Sequence, residues 1–156
     1  MTIAPKLTTQ RACRIARLNR DRFNEFVASG AYPCAPETVP GRARLFDPDD
    51  ILALCLFRDL SDDGFDARTA GRLACEIAAC AKANPEEPAI ALVYTYFSTP
   101  RAYPASTVPP PSEWDGALFA PEKTDIRKVL TYRVSKLRQM IAHDIEVERN
   151  TIGETE

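Results

Sequence analysis

Histidine is almost absent from this sequence, since His143 is the only one among 156 residues. A catalytic triad or an imidazole-based metal site needs more members than that, and the six glycines are scattered and form no phosphate-binding loop. Paired acids such as Asp49-Asp50 lie near helix ends, where the helix dipole and solvation account for them. The sequence therefore predicts a protein that is not an enzyme, with no catalytic residue, no metal site and no cofactor.

Long apolar runs are also missing, because no stretch approaches the roughly 18–20 residues that a membrane-spanning helix needs. The polar start at residues 1–10 does not resemble a signal peptide. The five cysteines are an odd number without a C-x-x-C pair, so they predict buried thiols in a reducing cytosol, with metal binding as the alternative. They are Cys13, Cys34, Cys55, Cys75 and Cys80. We expect a cytoplasmic protein.

Charge is nearly balanced in total but unevenly distributed. Apolar residues make up 45% and charged residues 27% of the chain, as in an ordinary globular protein, and the formal net charge is −2. Residues 1–46 contain eight basic and three acidic side chains, a net +5, so the remaining residues sum to −7. The asymmetry indicates a basic N-terminal segment for an anionic partner, followed by an acidic remainder.

Two short helices separated by a tight turn are predicted at the N-terminus. The first opens at residues 7–9, with a threonine hydroxyl as its N-cap. The second runs from about Arg20 to Ser29 and ends at Gly30. Prolines and a glycine exclude a helix over residues 31–46, whose last five residues are expected to form a short strand paired with one that starts at Tyr32.

Two longer helices follow. Residues 47–50, Asp-Pro-Asp-Asp, supply an N-cap, a proline at the first helical position and an acid at the third, and the helix extends to Asp62. Asp66 caps the next helix, which stops near Asn84-Pro85. Residues 1–83 are therefore predicted to form one domain.

The second half differs in composition, because it is rich in proline. Residues 84–122 form a proline-rich connection with short strands, one at Ala89–Phe97 and another at 117–119, after an Asp-Gly turn. A long amphipathic helix is predicted over residues 123–149, with an apolar stripe of Ile126, Leu130, Val134, Leu137, Ile141 and Ile145. The stripe is either a dimer seam or the face that covers the strand around Val93. We favour the seam, because a helix of about 25 residues spans about 37 Å, longer than a small domain needs.

Large side chains divide into two groups. Four in the first half are expected to be core residues, namely Phe23, Phe26, Leu45 and Phe46. Five aromatics in the second half are expected to form a small core of their own, with the lining of an effector pocket as the alternative, namely Tyr94, Tyr96, Phe97, Tyr103 and Trp114.

The order of two short helices, a Pro/Gly-rich hairpin and two longer helices is that of a winged helix-turn-helix. The expected fold class is mainly α (α+β), with this domain first and a small C-terminal region of one or two short strands and a long helix. Basic residues lie where such a fold meets DNA, with the second helix in the major groove and the wing beside the phosphates.

The same stretch resembles the DNA-binding region of the MerR family over about residues 7–80, roughly half of the chain. The shared features are a threonine-capped first helix, a glycine that closes the second, an arginine two residues before a wing aromatic, an acid-capped helix and a glycine-aromatic pair. Here they are carried by residues 7–9, 16, 18–26, 30–33, 41–51, 60 and 64–65.

Three departures limit what the resemblance implies. Asn24 stands where the family usually has an arginine in the recognition helix, so no base preference carries over. No cysteine follows Cys80, which speaks against a metal or redox sensor of the usual kind. Some 40 residues separate the fourth helix from the last one, whereas the dimerisation helix of the family follows directly.

Each candidate DNA-binding residue has an ordinary alternative. The basic side chains can be solvated helix or loop charges, Thr8 and Thr9 are caps before they are phosphate ligands, and Asn24 either reads an adenine edge or faces water. The candidates are Thr8, Thr9, Arg14, Arg17, Asn19, Arg20, Arg22, Asn24, Arg42 and Arg44.

The leading hypothesis is a sequence-specific transcriptional regulator that binds double-stranded DNA through its N-terminal winged helix. It would act as a homodimer that associates through the 123–149 helix. One alternative is an excisionase-like architectural accessory protein of a mobile element, which bends DNA and recruits a recombinase. Another is a protein-interaction adaptor built on the same fold, which Asp21 and Glu25 beside Asn24 would favour. The sequence does not identify a small-molecule effector.

Overall fold

Regular structure accounts for most of the residues that the computed structural model describes, which are 5–38, 40–116, 119 and 124–151. In that part of the chain the fold is α+β, with five helices and two small antiparallel sheets. The elements are β1 (Leu7–Thr8), α1 (Thr9–Ala16), α2 (Arg20–Ala28), β2 (Leu45–Phe46), α3 (Pro48–Asp62), α4 (Ala67–Ala83), β3 (Ile90–Thr95), β4 (Arg101–Pro104), β5 (Ile126–Tyr132) and α5 (Val134–Arg149). None of the described helices is both long and apolar enough to cross a membrane.

Polar side chains start the helices close to where the sequence predicts. Asn19 Oδ1 accepts the backbone N–H of Arg22 at 2.9 Å, and Asp66 Oδ1 accepts that of Thr69 at 2.8 Å. These bonds satisfy amides that have no partner inside the helix. The expected cap of α1 differs, because Thr8 holds the N-cap position without a capping hydrogen bond from its side chain.

A reciprocal pair of hydrogen bonds starts α3. The N–H of Asp50 donates to Asp47 Oδ1 at 2.8 Å, and the N–H of Asp47 donates to Asp50 Oδ2 at 2.9 Å. We expect Asp47→Ala to lower the free energy of unfolding by about 1 kcal/mol, because one amide loses its acceptor. Urea unfolding measures it. Asp49→Ala is the matched control, since Asp49 is in the same helical turn outside this pair, and equal losses in the two variants would contradict the capping role.

Helix α3 is the centre of the core. It contacts α1, α4, α5 and β2, which is why apolar residues occur on nearly all of its faces. The fully buried ones are Ile51, Leu52, Leu54, Leu56, Phe57 and Leu60. At about 25 cal/mol per Å² of apolar surface removed from water, a helix buried on this scale is a main source of stability.

The predicted helix over 123–149 is wrong in its first third. Residues Ile126–Tyr132 form β5, which pairs antiparallel with β3, and the helix begins only at Val134. Val129, Thr131 and Tyr132 favour an extended strand, and pairing with a buried neighbour outweighs the helical spacing of the apolar residues. The apolar stripe crosses the boundary between the two elements by coincidence.

The helical part of that stripe is buried inside the chain. Val134, Ile141 and Ile145 are at most 2% exposed and belong to the main core, with Leu137 packed against it. Helix α5 packs on α1 and α3. These residues are therefore unavailable as a dimer seam, and they also do not cover Val93, which belongs to a second cluster.

A three-stranded sheet, ordered β4-β3-β5, occupies the C-terminal region. Strand β3 confirms the strand predicted at 89–97, whereas β4 and β5 were not predicted as strands. The prediction of one or two strands is thus too low. Residues 117 and 118 of the other predicted strand lie outside the described residues, and Phe119 forms an isolated bridge with Thr124.

The two faces of β3 meet different neighbours. Ile90, Leu92 and Tyr94 join the main core, and Ala91 and Val93 form a smaller cluster on the other face. Two of the five aromatics expected in a small core, Tyr103 and Trp114, pack against that smaller cluster. Tyr96 and Phe97 do not, because they lie beyond the end of β3 and are 62% and 90% exposed.

The predicted hairpin that begins at Tyr32 is wrong. Strand β2 pairs with β1, with Leu7 opposite Phe46, and the side chain of Tyr32 is buried between the rings of Phe23 and Phe57. Phe23 and Phe46 are core residues and Phe26 packs against the core, as predicted. Leu45 is 46% exposed, because it alternates with Phe46 on a strand with one covered face.

Two cysteines are joined, which corrects the expectation of free thiols throughout. Cys34, in the loop after α2, forms a disulfide with Cys75 of α4. Cys13, Cys55 and Cys80 are free. The loop approaches α4 closely at Gly71, and the 41-residue separation of the paired cysteines gives no signal in the sequence.

Candidate nucleic-acid interface

A tight turn of three residues, 17–19, joins α1 to α2. Arg17 adopts a left-handed conformation with φ 59°, and the N–H of Leu18 donates to Cys13 O at 2.8 Å. Arg58 of α3 donates from Nη1 to the carbonyl of Arg17 at 2.6 Å. The buried, small Ala12 and Ala16 lie on the inner face of α1. The two short helices and their turn are thus held against α3.

A groove of about 440 Å³ runs between the start of α1, the N-terminal half of α2 and the chain before β2. We refer to it as the α2 groove. Its lining residues are Thr8, Thr9, Gln10, Arg20, Asp21, Asn24, Ala43 and Arg44. The structure therefore brings together five of the ten predicted DNA-binding residues, from three separate segments of the chain.

Arg20 is the cation at the centre of this groove. Its Nη1 donates to Gln10 Oε1 at 3.0 Å, and its Nε lies 3.6 Å from Asp21 Oδ1. The side chain remains about half exposed, so these contacts orient the guanidinium without burying its charge. Asn24 lies one turn further along α2, exposed on the same groove.

Arg44 lies on the opposite side of the α2 groove. Its Nη1 donates to the carbonyl of Pro36, which ties residues 40–44 to the loop that follows α2. The side chain is half-buried, whereas Arg42, two residues earlier, is exposed. Arg44 therefore both lines the α2 groove and holds the loop after α2 in place. Arg42 adds an exposed positive charge nearby.

Thr8 has an unusual environment on the floor of the α2 groove. Its Oγ1 is buried and has no hydrogen-bond partner among the described residues. A buried polar atom without a partner costs free energy, and a buried oxygen is not in contact with a ligand in the groove unless the side chain rotates. Thr9 follows it at the first position of α1, where backbone N–H groups are unpaired within the helix.

Two candidates on α2 and its cap have defined local contacts. Asn19 is the N-cap of α2 through its bond to Arg22 N. The guanidinium of Arg22 lies over the ring of Phe26, 5.6 Å from its centroid, and the side chain is exposed. Asn19 is therefore a structural residue, and Arg22 presents a positioned cation beside the groove.

Two of the predicted DNA-binding residues, Arg14 and Arg17, do not line the α2 groove. Arg14 Nε contacts Glu148 Oε1 of α5 at 2.8 Å, which gives that arginine a partner inside the protein. Arg17 lines another groove, between α1, α3 and α5, together with Arg58 and Met140. Arg14 on α1 and Arg17 in the turn after it both lie on the side towards α5, which sequence spacing alone did not reveal.

Gln10 is the groove residue that sequence reasoning missed. Its amide oxygen accepts from Arg20, so it links the first turn of α1 to the first turn of α2. The signal in the sequence is its position directly after Thr8 and Thr9, in the exposed first turn. Asp21 was noticed only as a negative charge, although its carboxylate helps to orient Arg20.

The free thiol closest to the groove does not ionise near neutral pH. Burial raises the pKa of Cys13 to about 12, although the positive charge of Arg20 acts in the opposite direction. A thiol that stays protonated is a poor nucleophile and a poor metal ligand. The chemistry available in this region is therefore binding through positive charge and amide groups.

No family model matches the chain, and no match was found among the curated proteins.

Proposed function

We propose that this protein is a DNA-binding transcriptional regulator that reads duplex DNA through the α2 groove. The observation that carries the proposal is the convergence of Arg20, Asn24 and Arg44 beside the two threonines that start α1. Three segments of the chain, residues 8–10, 20–24 and 43–44, supply the groove lining, and we interpret α1, the turn and α2 as a helix-turn-helix that presents it. Asp21 is an exposed carboxylate 3.6 Å from Arg20 and offsets part of its charge, so Arg22 and Arg44 supply the further positive charge of the surface.

The roles follow from side-chain chemistry. Helix α2 lies in the major groove, where the Asn24 amide can both donate to and accept from an adenine edge. Arg20, Arg22 and Arg44 neutralise phosphates on either side, and the free N–H groups at the start of α1 receive another phosphate. The arginines therefore supply affinity, and Asn24 supplies base preference.

The proposal includes a homodimer on a two-fold DNA site. Because the apolar stripe of α5 is buried, the homodimer would use the exposed side of that helix at Met140 and Val147, which are 52% and 53% exposed. It also includes a cytoplasmic location, where the DNA is. The Cys34–Cys75 disulfide is the observation that bears against a reducing compartment.

The test begins with selection of bound fragments from random duplex DNA, read for half-site symmetry. Binding of the selected duplex is then followed by fluorescence anisotropy over a range of salt concentrations. For Arg20→Ala/Arg22→Ala we expect weaker binding and a salt slope that is smaller in magnitude by about 1.8, because each phosphate contact contributes about 0.9. Asn24→Ala should leave the salt slope unchanged and alter the base preference.

Arg133→Ala/Arg149→Ala is the matched control, since both arginines are exposed at the two ends of α5. It removes the same charge away from the α2 groove and should bind like the wild type. Equal losses in the two double variants would contradict the proposal, as would a selection that enriches no sequence. A selected site without a palindrome would contradict the homodimer alone.

A further inference from the structure

Two aromatic side chains project from the turn between β3 and β4. Phe97 is 90% exposed and Tyr96 is 62% exposed. The turn continues through Ser98 to Pro100 before β4 begins at Arg101. Large apolar side chains grouped on a protruding turn are typical of an interaction surface, since exposure to water brings them no stabilisation.

Cations are concentrated at the base of the same turn. The guanidinium of Arg127 lies 5.1 Å from the centroid of the Tyr94 ring, and Lys128 Nζ lies 4.1 Å from it. Arg72 of α4 is near enough for its charge, with that of Arg127, to lower the pKa of Tyr94, although burial raises it overall. All three basic side chains are exposed.

A register shift explains how two consecutive residues reach one ring. Side chains of neighbouring strand residues normally point to opposite faces. The pairing of β3 with β5 shifts between Tyr94 and Thr95, so that Tyr94 is opposite Lys128 but Thr95 is opposite Ile126. Arg127 falls at this irregularity, and its Nε donates to Thr95 O at 3.0 Å. The bulge brings a second cation to the Tyr94 ring, two residues before Tyr96.

We propose that this aromatic turn, defined as Tyr96 and Phe97 with Arg72, Arg127 and Lys128, binds a single strand of nucleic acid. Bases would stack on the two exposed rings, and phosphates would contact the three cations. The occupant must combine negative charge with flat apolar faces, and unpaired nucleotides have both along one chain. The surface is separate from the α2 groove, so the inference does not depend on duplex recognition.

The chemistry of the patch favours a nucleic-acid strand over a lipid surface. An amphipathic membrane anchor has an apolar face that continues over several turns or strands, whereas here two rings stand among three cations. The C-terminal region has an acidic total, but Arg127 and Lys128 of β5, together with Arg72 of α4, place three positive charges around this turn. Local charge, rather than the segment sum, decides which partner is attracted.

The test measures binding of a fluorescein-labelled oligothymidylate of 20 nucleotides by anisotropy, with the full chain. We expect Phe97→Ala to weaken binding about 10-fold, because one base loses its stacking platform. We expect Lys128→Gln to reduce the magnitude of the salt slope by about 0.7, the contribution of one phosphate on a single strand. The exposed position of Phe97 means that its variant should unfold at the wild-type temperature.

Two controls remove positive charge elsewhere on the surface. Lys136→Gln replaces an exposed lysine of α5, and Arg133→Ala/Arg149→Ala removes the two exposed arginines at the ends of that helix. Both should bind the oligothymidylate like the wild type. The inference is overturned if the wild type does not bind it, if Phe97→Ala binds equally well, or if phosphatidylserine vesicles bind through Phe97 and displace the strand. Failure of duplex binding to respond to Arg20→Ala/Arg22→Ala would overturn only the proposed function.

Discussion

Replacing Cys34 with serine is expected to lower the free energy of unfolding by about 4 kcal/mol. The disulfide with Cys75 closes a loop of 41 residues, and the chain-entropy model assigns about that stabilisation to a loop of this length, since the cross-link restricts the unfolded chain. For a chain of this size the melting temperature should fall by about 10 °C. Urea unfolding and thermal melting without reductant measure both quantities.

Two comparisons assign the loss to the disulfide. A dithiol reductant should destabilise the wild type to the level of Cys34→Ser and leave that variant unchanged. Cys80→Ala is the matched control, because Cys80 is a free, partly buried thiol on α4, the helix that contains Cys75. We expect it to cost far less than Cys34→Ser. A wild type that is insensitive to reductant, with no loss in Cys34→Ser, would contradict the disulfide.

The disulfide also bears on the α2 groove. Cys34 lies in the loop whose Pro36 carbonyl accepts from Arg44, so fixing that loop to α4 also fixes the side of the groove on which Arg44 lies. The prolines of the loop donate no backbone hydrogen bonds, so they contribute little to holding its conformation. Covalent attachment to a rigid helix replaces the pairing that the predicted hairpin would have provided.

Local signals in the sequence were enough to locate the helices of the first half. Asp47 and Asp66 mark the starts of α3 and α4, and Gly30, with φ 82°, follows the end of α2. These features act within four or five residues, so a single sequence reveals them. The order of the first four helices and the α+β class were predictable for the same reason.

Pairing between distant segments was not predictable from the same signals. Strand β2 pairs with β1 rather than with residues near Tyr32. Strand β5 pairs directly with β3, although β4 lies between them in the sequence. Nothing in the periodicity of either segment specifies its partner. The spacing of Ile126 and Leu130 fits a helix, whereas in β5 the register shift places the two side chains in different hydrophobic clusters. Only pairing with β3 decides between helix and strand.

The candidate site divides in the same way. Sequence order placed Arg20 and Asn24 on one helix, and the groove contains both. It did not show that Arg14 would contact Glu148, because α5 lies 134 residues away along the chain. The sequence shows which residues are basic and on which helix they lie. Which group each side chain contacts depends on tertiary packing.

Gly71→Ala is expected to destabilise the protein by about 3 kcal/mol. A Cβ at this position of α4 would lie 1.9 Å from the carbonyl oxygen of Ala31 and 2.9 Å from its carbonyl carbon. Both atoms are backbone, so the loop or the helix must move, and overpacking of this kind costs about 1–3 kcal/mol or more. The loss must also exceed a gain of about 1 kcal/mol in helix propensity.

Ala79→Gly on the same helix is the control, because Ala79 is exposed there. It should lose about 1 kcal/mol through helix propensity alone. Helix propensity alone would make Gly71→Ala stabilising by about the same amount. A destabilising effect of Gly71→Ala therefore has to come from the contact with Ala31. A Gly71→Ala variant that is more stable than the wild type in urea unfolding would contradict the close approach.

The double variant Cys34→Ser/Gly71→Ala tests whether both residues fix the same loop. With the disulfide intact, the loop cannot retreat from a methyl group at Gly71, because Cys34 and Ala31 lie in the same short segment. Without it, the loop can shift outward and relieve the clash. We therefore expect the cost of Gly71→Ala to be at least about 1 kcal/mol smaller in the Cys34→Ser background, since substitutions coupled through one backbone segment are not additive. Additive losses would mean that α4 and the loop are held together independently of the disulfide.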